Sequence, residues 1–182
     1  MSKKKLDILK TASELFNEHG YVSVGVDRII RESSVSKMTF YKYFPSKNNL
    51  IQECLINRDE LIRNSITQTL SLSKKKGIEK LEIFLKWYES WFNQKDFFGC
   101  MFIKATDEFM HDVKLNSIII NHKMWITNTI KNILKECPIE NPELMADQIR
   151  IILDGAIINE TTFRDGKSIV NSWLIIKTML KI

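Results

Sequence analysis

The 182-residue chain predicts an all-α fold: a small three-helix head followed by a larger helical body, about nine helices in all. Three observations carry this. Apolar residues recur at the i, i+3, i+4 spacing of amphipathic helices along most of the chain. Only 6 Gly and 3 Pro are present, too few for the closely spaced turns of a β protein. The 44% apolar content is enough to bury a core at this length.

Leu6 to His19 reads as the first helix, with Leu9, Ala12, Leu15, Phe16 and His19 on one side and Gly20 as its stop. Val26, Ile29 and Ile30 mark a second short helix, which Ser33-Ser34 interrupts. A third resumes with Ser36 as N-cap, burying Phe40 and turning Lys37, Met38, Thr39, Tyr41 and Lys42 outward. Pro45 forbids its continuation and biases Phe44 away from helical angles, and Ser46 caps the next helix at Lys47. The order is helix, tight turn, helix, stop, long helix, which is the outline of a helix-turn-helix. The formal charge of +5 is uneven: residues 1–50 carry a net +4, which suits a phosphate-binding surface, while residues 51–182 are nearly balanced at +1.

These residues resemble the TetR family of one-component transcriptional repressors. The likeness rests on Ala12, Leu15-Phe16, Gly20-Tyr21, Ile29, Val35-Ser36-Lys37, Thr39-Phe40-Tyr41, Tyr43-Phe44, Lys47 and Leu50, each at the family's spacing. The chain departs from the pattern at Gly25, where Thr or Ser often caps the second helix, at Ser34, where the turn often has Gly, and at Met38, where Gly or Pro is common. The resemblance implies a DNA-binding head over 1–46 and a ligand-binding and dimerisation body over 47–182. It places Lys37, Thr39 and Tyr41 at the major groove, with Lys42, Tyr43 and Lys47 on phosphates, and counts Ser36 and Met38 among the DNA-binding residues.

From Lys47 the apolar pattern runs unbroken to about Ser73, roughly 27 residues or about 40 Å of helix. Ile78–Phe92, Gly99–Met110 and Val113–Cys137 follow as amphipathic segments. Aromatic and methionine residues are dense over 84–125. The pattern alone fits a filled core; the resemblance implies instead an inducer cavity lined by Phe84, Trp87, Tyr88, Trp91, Met101, Phe102, Phe109 and Trp125, suited to a small apolar or aromatic molecule. Asn141 can cap a helix from Pro142 to Arg164 that is apolar on nearly every side, and Ser168–Ile182 is apolar too. Two such helices carry more apolar surface than one small body can cover, so a second copy is expected over them; the family's dimer interface implies Ile152, Ile157, Trp173 and Ile176 as contacts.

Cys54, Cys100 and Cys137 are far apart, without a CxxC pair, and read as reduced, partly buried thiols of a cytoplasmic protein. The start of the chain lacks the apolar core of a signal peptide, and no apolar run approaches a bilayer span, so no membrane partner is expected. No hydrolase elbow, phosphate loop or dinucleotide fingerprint appears. Glu108 and His111 stand at the i, i+3 spacing of carboxylate-bridged metal sites, but the motif occurs once where such sites need it twice. The reading is therefore non-enzymatic, with no metal and no cofactor: a homodimeric repressor of palindromic operator DNA released by an inducer. A dimeric DNA-binding regulator with no inducer is the alternative.

Overall fold

The computed structural model describes residues 2–182 and contains, among these, nine helices and no strand. They are α1 Lys3–His19, α2 Val26–Glu32, α3 Lys37–Tyr43, α4 Lys47–Leu72, α5 Gly77–Phe92, α6 Met101–Phe109, α7 Val113–Leu134, α8 Pro142–Phe163 and α9 Ser168–Leu180. No helix of the described residues is long and apolar enough to cross a membrane.

The chain folds as two compact units that do not follow chain order: residues up to Glu60 join Cys100–Ile120, and Leu61–Gly99 joins Asn121–Ile182. This differs from a single break after residue 46. The first turns of α4, all of α6 and the start of α7 belong with the head, and α4 and α7 each give residues to both units. The cause is visible at Tyr21, a side chain the head alone leaves unsatisfied. Its ring packs against Phe16 (5.1 Å between centroids) and Phe109 (5.3 Å), and its hydroxyl donates to the Met101 carbonyl at 2.9 Å. Burial, reinforced by nearby Cys100 and Cys54, holds the phenol's pKa well above its usual value, so it remains a donor. The Lys104 ammonium likewise donates to the Asn17 carbonyl at the end of α1.

In the first unit Ile8, Leu9, Ala12, Leu15 and Phe16 of α1 meet Ile29, Phe40, Phe44, Leu50 and Leu55, all buried. At about 1.5–3 kcal/mol per buried large side chain, this set dominates the head's stability. His19, expected on the core side, is exposed: the helix ends there, and its Nε2 lies 3.0 Å from Arg28 Nη2. Burial pushes the Cys54 thiol up to about 12, and Cys54, Cys100 and Cys137 are all free thiols.

In the second unit α9 packs on α8 and α5. The start of α5 is fixed by Gly77, whose φ of +53° and whose 2.9 Å approach between a would-be Cβ and Cys137 Sγ leave no room for a side chain. Its N–H donates to Glu136 Oε2 at 3.1 Å, while Lys80 Nζ reaches Oε1 at 3.2 Å. Asn141 caps α8 by accepting from Leu144 N–H at 3.2 Å. The buried stripe of α8 is Ala146, Ile149, Leu153, Ala156, Ile157 and Glu160. Burial all round is not what the structure has: Ile151 and Ile158 are 59% and 54% exposed, and α9 adds Val170, Leu174 and Ile175 at 53–54%.

Candidate nucleic-acid interface

The interface is built on α2, the turn after it and α3. Gly25 starts α2 with an extended backbone. Ser33 closes that helix by donating its hydroxyl to the Ile29 carbonyl at 2.7 Å. Ser34 then adopts φ +55°, the left-handed conformation that lets the chain reverse in one residue. This is the position where glycine would sit without strain. Ser36 caps α3 as its hydroxyl type dictates: its Oγ accepts from Thr39 N–H at 3.1 Å and lies 2.9 Å from the Thr39 hydroxyl. Phe44 ends α3 with an extended backbone before Pro45, and Ser46 Oγ accepts from Asn49 N–H at 3.2 Å to start α4.

On α3, Phe40 and Phe44 face inward, 0% and 1% exposed, and anchor the helix. The opposite face presents Lys37, Met38, Tyr41 and Lys42, all exposed, with Met38 83% open to solvent. Thr39 is half-buried beside its Ser36 partner, and Tyr43 is half-buried with its hydroxyl donating to Ser2 Oγ at 2.9 Å. Lys37 Nζ stands 3.8 Å from Asp27 Oδ1, an open pair that water weakens. Lys47 is half-buried, and burial lowers its ammonium pKa from the ordinary lysine range. The face is cationic at both edges, with an apolar strip of Met38 and Tyr41 between.

The eight residues considered for a ligand cavity are shared between the units. Met101, Phe102 and Phe109 lie in the first, where Phe109 packs on Tyr21. Phe84, Trp87, Tyr88, Trp91 and Trp125 lie in the second. There Phe84, Tyr88 and Trp91 are buried and stack edge and tilt with Phe92 and Phe97, ring on ring. Trp87 donates its indole N–H to Ser65 Oγ at 2.8 Å.

A solvent-open groove of about 380 Å³ in the second unit is lined by Thr67, Leu70 and Ser71 of α4, Lys80 of α5, and Trp125, Thr129, Asn132 and Ile133 of α7 with Glu136 beyond it. Of the eight aromatic and methionine candidates only Trp125 lines it, its ring covered by the Arg63 guanidinium 5.2 Å from the centroid. The hydroxyl and amide residues of this lining carry no aromatic density to mark them in the sequence. A signal was present in the i, i+4, i+7, i+8, i+11 stripe from Trp125 to Glu136.

The residues considered for assembly divide as well. Ile152 and Trp173 are half-buried, but Ile157 and Ile176 are 4% and 0% exposed and belong to the unit's own core. The exposed apolar residues one helical step away, Ile151, Ile158, Val170, Leu174 and Ile175, are the open ones. Glu108 and His111 do not share a helical face, because α6 ends at Phe109 and His111 lies in the turn. Asp112 Oδ1 instead accepts from Lys114 and Leu115 N–H, capping α7.

A short helix-turn-helix carrying a cationic outward face, in a chain that is otherwise helical, has the architecture of a DNA-binding head on a helical body. Residues 8–54 match the family model of bacterial regulatory proteins, tetR family. The chain carries this family's head, and as a whole it has the fold of TetR-family regulators. It is 31% identical over 90 residues to the uncharacterized HTH-type transcriptional regulator YxaF of Bacillus subtilis, covering 49% of this chain and 47% of that protein. It is 34% identical over 80 residues to the HTH-type transcriptional regulator LmrA of the same organism, covering 43% of this chain and 42% of LmrA. The matched stretch thus spans less than half the length of these relatives. A TetR-family transcriptional regulator from Streptomyces coelicolor superposes with a TM-score of 0.91 at 23% identity, covering 98% of this chain and 94% of that one.

Proposed function

We propose that this chain is a cytoplasmic TetR-type transcriptional repressor that binds a palindromic operator as a homodimer and leaves it when a small molecule enters the body. The observation that carries the reading is the outward face of α3, where Lys37, Met38, Tyr41 and Lys42 stand clear of a helix pinned from beneath by Phe40 and Phe44. A face of that composition has the width of one helix, suits a major groove, and carries cations where phosphates flank it. The uneven charge supports the same partner, since the basic excess lies within the first 50 residues.

Dimerisation is supported by the exposed aliphatic residues of α8 and α9, which water solvates poorly and a second copy would cover. What supports ligand binding is a groove of about 380 Å³, open to solvent, on the second unit. Its hydroxyl, amide and indole lining suits a flat molecule with hydrogen-bonding groups better than a purely greasy one. A tenfold loss of operator affinity requires the ligand to prefer the released conformation by only about 1.4 kcal/mol.

Selection from random DNA duplexes tests the reading: the expected product is an inverted repeat with half-sites one helical turn apart or a multiple of it. Enrichment of no inverted repeat overturns it. Quenching of Trp125 during a ligand-library titration, followed by operator release with each hit, separates the inducible repressor from a regulator without an inducer.

A further inference from the structure

We propose that Met38 reads the C5 methyl group of a thymine in each operator half-site, so that part of the specificity rests on an apolar contact. This inference depends on the DNA-binding reading above and adds to it the chemistry of one base contact.

Met38 is the second residue of α3 and is 83% exposed, so its side chain does nothing for the core that Phe40 and Phe44 fill. Folding gives no reason for a long apolar side chain there. Its neighbours have partners within the head: the Thr39 hydroxyl lies 2.9 Å from Ser36 Oγ, and the Lys37 ammonium 3.8 Å from the Asp27 carboxylate. Tyr41, one turn along and 44% exposed, continues the apolar strip.

A thioether has no donor and is a weak acceptor, so it cannot donate to guanine O6 and N7, cannot make the two-bond pair with the adenine N6 and N7 edge, and gains little by accepting from the cytosine amino group. The one apolar group on the major-groove edge of the four bases is the thymine methyl. An unbranched chain with three rotatable bonds and a polarisable sulfur can settle against that methyl without demanding a fixed geometry. The N-terminal residues of a recognition helix are those that reach base edges, which is where Met38 stands.

The test replaces each thymine pair of the selected operator with deoxyuracil, which removes the methyl and leaves the Watson–Crick pairing intact. Affinity is measured by fluorescence anisotropy at one fixed salt concentration. One symmetric pair of positions is expected to weaken binding about fourfold per methyl, roughly 15-fold for the two half-sites together. Met38→Ser is expected to bind the thymine and deoxyuracil operators alike, and Met38→Leu to keep the penalty. Both variants should fold, since the position is open to solvent. A deoxyuracil scan that changes wild-type affinity by less than about twofold everywhere overturns the assignment, as does a Met38→Ser protein that keeps the full penalty. Selection of no inverted repeat at all would instead sink the DNA-binding reading on which it stands.

Discussion

Two faces of this molecule leave apolar side chains in water, and they do so in different company. On α3, Met38 and Tyr41 are flanked by Lys37 and Lys42; on α8 and α9, Ile151, Ile158, Val170, Leu174 and Ile175 form an aliphatic set. The first composition fits a polyanion whose groove edges are partly apolar. The second is dominated by aliphatic side chains and suits another apolar surface. Exposure by itself is therefore uninformative here; the neighbours of the exposed residue identify the partner.

The comparison can be broken most severely on α9, where adjacent residues have opposite surroundings. Ile176 is fully buried, and Ile176→Glu is expected to cost about 4 kcal/mol or more and leave little folded protein, because an unpaired charge would enter the core. Ile175, 54% exposed, is predicted to tolerate Glu in the fold while losing the dimer and, with it, tight operator binding. Circular dichroism and sedimentation separate the two outcomes. A dimeric, operator-binding Ile175→Glu protein would assign that face to something other than a second copy.

Next in size is the support beneath the outward face of α3. Phe40→Ala removes a ring that is 0% exposed and is predicted to destabilise the head by about 3–5 kcal/mol, seen as a lowered unfolding midpoint. Lys42→Ala touches only the rim of the same face. It is expected to leave stability unchanged and to weaken all DNA sequences alike, flattening the slope of log affinity against log salt by about one per contact. An unaltered slope would remove Lys42 from the phosphate contacts.

The smallest effect lies at Glu136, whose carboxyl is held below its usual pKa by the Gly77 N–H bond and then by Lys80. A depressed carboxylate contributes stability that is present above its ordinary pKa and is lost as pH falls through the lowered value. Glu136→Gln should therefore flatten the acid limb of a stability-versus-pH curve and change little at neutral pH. The group is exposed to solvent, so the effect will be slight.

Much of the head was legible because its signals are local. Ser36, Ser46 and Pro45 act within four residues of themselves, as Asn141 does at the start of α8 in the other unit, and each sits where its chemistry requires. The outward face of α3 followed from the same spacing, since burying Phe40 and Phe44 leaves only one side for Lys37, Met38 and Tyr41. Helical periodicity, by contrast, says which side of a helix is apolar and not what covers it. That is why Ile157 and Ile176 could not be told from Ile158 and Ile175, one residue away. The ring cluster from Phe84 to Phe97 was equally ambiguous: aromatic density is common to a filled core and to a binding cavity. The lining that the second unit offers is rich in Thr, Ser and Asn, types that sequence alone assigns to solvent.

The interleaving of the two units also decides where the chain can be cut. The head's own core draws on Tyr21, whose hydroxyl acceptor lies at Met101 and whose packing partner lies at Phe109, some eighty positions later. A fragment ending at residue 60 would contain every helix-turn-helix residue yet lack the α6 segment that completes it. Grafting residues 1–60 onto a foreign body is thus expected to give a poorly ordered reader. A functional chimera must also carry residues 100–120 of this chain, or a replacement that supplies the carbonyl for Tyr21.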